Sequence, residues 1–559
     1  MESRQQEVEG WVKAEGKRLV NGRGEDLILR GTGLGSWLLP EGYMWKLPEG
    51  GDRPRRIERM VADLIGEEDA QAFWRTYHDR YTAEADIRQM ALEGFNSVRV
   101  PFNARMLLEG ERNAQGYNEE ALKLLDDVIG WCRKWKLYVI LDMHGAPGGQ
   151  TGANIDDSEK DLPELYISPE HRQAAIDMWR MLAGRYRDEW IVAGYDLLNE
   201  PLPEYHGQYN GEAEPLYRDM IAAIREVDER HMIILEGVHW STDWSIFTEK
   251  LDGNVLYQFH KYWNNPDTES IRKYLDFREE WNVPIFMGEG GENDLDWYAG
   301  AFRLFEDHGI SWNFWTWKKM DTINSPCSVI KPEGWEKLGA YLDGGEKPDV
   351  SEARVILNAY LDGLPLEACD YHPEVVNALF RRLPVRIPAI HYGYDGAGRS
   401  FGSTGAKEWE SGYRKEDGME IRYLDGRPKL PPTEPGWHRW DTEGGLCLEL
   451  KDGEWAAYDF TVRGGSGAAE RDEVDEAHSA DQAEASRYRL KLQAVTLDPA
   501  GKALIELDGH PLAELSPGGG WDAAVQDAEL PALEEGTHRI VVKARGASLR
   551  LEYLLFERI

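Results

Sequence analysis

Eight short apolar runs, each followed by a long helical pattern, occupy roughly the first two thirds of the chain and narrow its fold more than any other feature. They are DLILRGTGLG (26–35), SVRVPF (97–102), YVILDMH (138–144), IVAGYDLLNE (191–200), MIILEG (232–237), VLYQFHKY (255–262), PIFMGEG (284–290) and ISWNFWTWK (310–318). Strands that alternate with helices pair in parallel, because each crossover between parallel neighbours is long enough to hold a helix. Residues 82–94 read as one such helix, opened by Thr82 and stopped at Gly94. Residues 118–135 place Leu122, Leu125, Ile129 and Cys132 on one face. Eight β/α units predict a (β/α)8 barrel, with a helical excursion at 56–80. An open doubly wound sheet is the alternative. It wants a Gly-rich phosphate loop after its first strand, and GTGLGS (31–36) lacks the third glycine of that fingerprint.

The pattern changes after residue 365. Residues 366–384 read as a helical linker, and 385–559 as short strands with turn signals, among them Asp508-Gly509. The expected fold class is therefore α/β: a barrel domain over 1–365, then an all-β jelly roll or sandwich over 385–559. The Gly-, Glu- and Ala-rich stretch 464–485 reads as a loop.

The net charge of −37 argues against nucleic acid and anionic membranes as partners, since both require a basic face. The amino terminus has no apolar signal core, and no run approaches the ~20 apolar residues of a membrane helix. A cytoplasmic location is the expectation, although a trimmed secreted chain would look the same. Cys132, Cys327, Cys369 and Cys447 are scattered, which suggests neither a zinc site nor a disulfide framework. No metal or cofactor is expected.

Barrel chemistry sits at the carboxyl ends of the strands. Polar groups fall there in most of the runs: Arg99 in the second, His144 in the third, Asn199 and Glu200 in the fourth, His260 and Tyr262 in the sixth, Glu289 in the seventh, Trp315 and Trp317 in the eighth. Glu200 and Glu289 form the kind of carboxylate pair that glycoside cleavage needs, one to protonate the leaving oxygen and one to attack or to activate water.

These motifs resemble glycoside hydrolase family 5. The likeness rests on LLNEP (197–201), PIFMGEGG (284–291), NSVRVP (96–101), LDMHG (141–145), YQFHKYW (257–263) and FWTWK (314–318), and spans about residues 25–345. It implies a retaining mechanism with Glu200 as acid/base and Glu289 as nucleophile. Asn199 would hold the sugar 2-hydroxyl, and Arg99 and Tyr262 would orient Glu289. His144, His260 and Trp315 or Trp317 would line the −1 subsite. RGTGLGSWLLPE (30–41) and HGAPGGQTG (144–152) look like the exo-β-1,3-glucanase branch. There Glu41 matches a residue that binds the terminal sugar, and Asn154 stands where the branch has an aspartate.

The carboxyl-terminal region resembles β-jelly-roll carbohydrate-binding modules in GEWAAYDFTV (453–462), ELDG (506–509), GGGW (518–521) and EGTHRIVVKARG (535–546). Trp409, Trp437, Trp455 and Trp521 are candidate sugar platforms, although such residues are more often core than ligand. The expected substrate is a β-linked oligosaccharide or glycoside, attacked from its non-reducing end by a β-glucosidase or exo-β-glucanase. An endo-β-glucanase, a mannanase, a diglycosidase and a non-catalytic sugar-binding protein remain as alternatives.

Overall fold

The computed structural model describes residues 8–110, 112–405, 411, 413–424, 445–463, 487–496, 498–519 and 525–559. Eight parallel strands close into a barrel in sequence order: β1 Arg30–Gly33, β2 Ser97–Asn103, β3 Tyr138–Gly145, β4 Val192–Asp196, β5 Met232–Glu236, β6 Val255–His260, β7 Ile285–Gly291 and β8 Ser311–Trp315. All eight runs become strands. Their sides facing the helices carry the apolar residues that pack there, such as Val98, Val100, Leu141, Ile233 and Phe314. At the strand N-termini a small antiparallel sheet of Lys13–Glu15, Arg18–Val20 and Asp26–Leu27 brings Val12, Leu19 and Leu27 against Tyr138, Ile140, Met232 and Phe286. It closes the floor of the barrel.

The excursion forms two helices, Pro54–Ile65 and Glu67–Tyr81. The next helix, Glu84–Glu93, begins later than its sequence suggests. Its N-cap is Ala83 rather than Thr82, and the Asp86 carboxylate accepts from the Ala83 N–H at 3.0 Å, so an acid in the first turn does the work expected of a hydroxyl. It ends at Gly94 in the left-handed region, as its composition predicts. The helix Glu119–Trp135 starts on Asn118, whose side chain accepts from Glu120 and Ala121 N–H.

A small sheet follows the barrel, made of β9 Lys318–Met320, β10 Cys327–Val329 and β11 Asp370–Tyr371. The linker holds the helix Pro373–Phe380. Beyond it lie a six-stranded and a five-stranded sheet, whose strands pair antiparallel. Phe460 of one meets Phe556 of the other at 4.7 Å between ring centroids. This sandwich docks on the barrel. Asp459 pairs with Arg303 at 2.7 Å, and Tyr394 and Tyr413 both donate to Pro266 O, at 2.6 and 2.9 Å. Trp409, Trp437, Trp521 and the stretch 464–485 lie outside the described residues, whereas Trp455 is half-buried against Gly402. Cys132, Cys327 and Cys369 form no disulfide. Among the described residues no helix is long and apolar enough to cross a membrane.

Candidate active site

The residues singled out on β2, β3, β6 and β7 converge at the carboxyl end of the barrel. Arg99 is fully buried in their centre. Its guanidinium bonds Glu289 Oε1, Asp196 Oδ2 (2.8 Å), Asn199 Oδ1 (3.0 Å) and Glu236 Oε1 (3.1 Å), and lies 3.2 Å from Asp142 Oδ2. One cation thus faces four buried carboxylates.

Glu289 is delivered by an irregularity. The register of β7 shifts against both neighbours between Met287 and Gly290, which re-aims the side chain inward. Gly288 makes this feasible, since a Cβ there would meet the Gln258 amide at 2.0 Å. Tyr262 OH donates to Glu289 Oε2 at 2.7 Å. Burial alone would raise the Glu289 pKa. His260, Arg99, His144 and the Tyr262 hydroxyl outweigh it and hold the carboxyl below its ordinary value.

Glu200 is not on a strand. β4 stops at Asp196, and the chain turns so that Glu200 takes a left-handed φ of 45°. Backbone strain of this kind persists only where neighbours fix it. Here the Glu200 N–H donates to Glu236 Oε2 at 2.7 Å, and Gln150 donates to Asn199 O at 2.9 Å. The Glu200 side chain is 12% exposed and shares a 2.6 Å hydrogen bond with His260 Nδ1. Burial raises its pKa; His260 opposes this and the Glu289 charge adds to it, leaving the carboxyl above its ordinary range. Burial would push the His260 imidazolium down, but Glu236, Glu289 and Glu200 hold it well above the usual histidine value. One oxygen each of Glu200 and Glu289 and one His260 nitrogen lie within 4.8 Å of one another. They are close enough to share a cation, although Arg99 already neutralises Glu289 from behind.

The remaining residues line one wall. His144 Nδ1 contacts Asp142 Oδ2 at 2.7 Å, and its ring stacks on Trp315 at 5.4 Å and 3°. Trp315 Nε1 donates to Tyr43 OH at 2.8 Å. Glu41 follows β1 by a loop and precedes the 3-10 helix Gly42–Trp45. Its Oε1 is buried without a hydrogen-bond partner, 3.8 Å from His144 Nε2. Burial raises its pKa well above the ordinary value, and Glu289 and Glu292 add to that.

Two candidates fall outside the site. Trp317 turns away beyond the end of β8, because a buried indole N–H needs an acceptor and Asp86 supplies one at 3.0 Å. Asn154 is exposed on its loop and makes none of the described hydrogen bonds to Glu200 or Glu289. The neighbouring Asp156 orders that loop instead, accepting from Thr151, Gly152 and Ser158 N–H. Glu236, Asp142, Asp196, Gln258 and Tyr43 were not anticipated. A signal existed for the three acids: each interrupts or ends an apolar strand, as in MIILE (232–236), VILD (139–142) and AGYD (193–196).

A family model described as cellulase, glycosyl hydrolase family 5, matches residues 64–321. A β-xylosidase of Phanerodontia chrysosporium is 32% identical over 344 residues, covering 55% of this chain and 71% of that protein. The chain belongs to glycoside hydrolase family 5. This family member is also similar to endoglucanase C of Acetivibrio thermocellus, 26% identical over 45% of the chain and 88% of the relative. A glucan 1,3-β-glucosidase of Candida oleophila is 28% identical over 42% of the chain and 58% of that protein. As a family 5 enzyme it hydrolyses O-glycosyl bonds.

Proposed function

We propose that the enzyme is a retaining, exo-acting β-glycosidase that cleaves β-glucosides or short β-glucans from the non-reducing end. Glu289, ionised beside Arg99 and Tyr262, attacks the anomeric carbon. Glu200, kept protonated by its surroundings, delivers its proton to the leaving oxygen. Glu200 then takes a proton from water, which releases the sugar from Glu289. The spacing of the carboxylates supports this: one oxygen of each lies within 4.8 Å of one of the other, which suits the roughly 5–5.5 Å group separation of a retaining pair.

Exo action rests on Glu41. Its unpaired Oε1 needs donors, and a terminal sugar offers two adjacent hydroxyls. A sugar inside a linear chain has one of them substituted. The names of two relatives, β-xylosidase and glucan 1,3-β-glucosidase, fit this reading, while endoglucanase C favours a cleft open to internal bonds. Incubation with a long β-glucan separates the two. Exo action gives small sugars with slowly falling viscosity. A fast drop in viscosity with little free sugar would replace this reading with the endo one. The anomer formed first, read by NMR, tests retention.

A further inference from the structure

Between the end of β6 at His260 and the helix Thr268–Trp281, residues 261–267 form neither helix nor strand. No ladder fixes this loop, so side chains must. It carries Tyr262, whose hydroxyl bonds Glu289 Oε2, and any slack in the loop is slack in that bond.

Lys261 stands between His260, which bonds Glu200, and Tyr262. Its backbone N–H donates to the Glu289 carbonyl at 2.9 Å, which ties its main chain to that of the carboxylate on β7. Its side chain reaches into the loop instead of toward the carboxylates. There Nζ donates to Asn264 Oδ1, to Asn265 O at 2.7 Å and to Ser270 Oγ at 2.8 Å. An ammonium has three N–H donors and no acceptor. All three are used here, and they draw the middle of the loop and the first turn of the following helix onto one atom. Asn293 and Trp297, beyond β7, clasp the same loop from outside, donating to Tyr262 O and Asn264 O, each at 2.9 Å.

A lysine is a costly residue for this place. Lys261 is 4% exposed, and its three acceptors are all neutral. Lys318 and Lys319, buried as well, each meet a carboxylate, Asp86 and Glu292. Burial pulls the Lys261 pKa down to about 7, against the opposing charge of Asp267. Burying a cation on neutral contacts alone costs stability, and what this one returns is order in the loop beside the reacting carboxylates.

We propose that Lys261 is a positioning residue for the hydrolysis: it holds the loop in the arrangement that aims the Tyr262 hydroxyl at Glu289. The inference rests on the reading of Glu289 as nucleophile given above, and it adds a residue that touches neither sugar nor reacting atoms.

The test is a double-mutant cycle at pH 6, where Lys261 keeps its proton, on the p-nitrophenyl β-glycoside that the parent turns over fastest. Lys261→Met nearly keeps the chain length and removes all three donors. It should lower kcat at least about tenfold with KM within about threefold, since misplacing a catalytic group can cost roughly 10²-fold. Tyr262→Phe should lower kcat at least as much. Adding Lys261→Met to it should then cost less than about twofold more, because the group being aimed has gone. Ser270→Ala removes one acceptor and should show a smaller loss, again absent beside Tyr262→Phe; it serves if Lys261→Met fails to fold. A purely structural lysine would lower the rate by the same factor in both backgrounds. That result, a raised KM with kcat kept, or an unchanged kcat in the variants that fold overturns the proposal and leaves the nucleophile reading standing. A near-parental rate for Glu289→Gln would overturn both.

Discussion

Buried arginines sit at both ends of the barrel, and their surroundings differ. At the floor each acid meets at least one cation. Arg30 pairs with Glu306 at 2.6 Å, and Arg382 with Glu93 at 2.5 Å, where Arg463 also lies at 3.5 Å. Arg303 and Arg539 pair with Asp459 of the sandwich at 2.7 and 2.6 Å, Arg303 also reaching Asp307. Burial would raise the pKa of Glu306, Glu93 and Asp459, yet their arginines hold all three below the ordinary value. At the opposite end a single Arg99 faces four acids. Burial there wins at Asp142, Asp196, Glu200 and Glu41, whose pKa values rise, and loses at Glu289. Balanced pairs fasten one layer to another. An imbalanced cluster pushes one carboxylate's pKa down and its neighbour's up, the separation that the proposed acid and nucleophile require of a shared site. The floor also holds a cavity of about 1620 Å3 between barrel and sandwich, lined by none of the carboxylates around Arg99, so size alone does not mark the chemistry.

Substitutions can break this contrast from either end. Glu289→Gln should cost roughly 10³-fold or more in kcat, because it removes the nucleophile, while the melting temperature stays near that of the parent. A near-parental rate in steady-state assays would reject the assignment. Arg382→Ala should do the reverse. It leaves Glu93 buried with its main partner gone, for a loss of about 3–5 kcal/mol in stability by denaturant titration, with kcat/KM within twofold. Glu236→Gln disturbs the acceptor that pins the Glu200 backbone and bonds Arg99; misplacing a catalytic group can cost about 10²-fold in kcat. Glu41→Ala should lower kcat/KM on aryl β-glucosides at least tenfold, since it removes the acceptor of the sugar hydroxyls and a buried polar group left unsatisfied costs roughly 1–3 kcal/mol.

The pH profile sharpens the comparison further. Activity needs Glu289 ionised, with a depressed pKa, and Glu200 protonated, with a raised one. The rate should therefore fall on the acid side as Glu289 takes up a proton and on the alkaline side as Glu200 loses its own, as a pair rather than as isolated groups. Glu200→Gln, assayed on an aryl glycoside whose leaving group needs no proton, should flatten the alkaline limb. A limb that persists unchanged would assign it to another group.

Much of this was legible in the chain. Period and spacing revealed all eight barrel strands, because parallel strands buried on both faces read as apolar runs. Glu200 and Glu289 stood out as acids where such runs end. The supporting shell was harder to see, since Arg99 meets Glu236 and Asp196 across a sheet order that sequence distance does not display. Trp317 misled because two tryptophans two positions apart look equivalent until an acceptor, here Asp86, claims one of them. The left-handed turn at Glu200 was hidden as well: the apolar run reads as far as Glu200, but the strand ends earlier, at Asp196.

The two tyrosines of the sandwich that grip Pro266 deserve a last consequence. Pro266 lies in the loop after β6 that also carries Tyr262, so part of what aims the nucleophile is anchored in a separate layer of the protein. Dissecting the barrel from its appendage would then yield an enzyme that still contains every reacting group but has lost a guy-rope to one of them. Its defect should grow with temperature, as the loop begins to wander, long before the barrel itself melts.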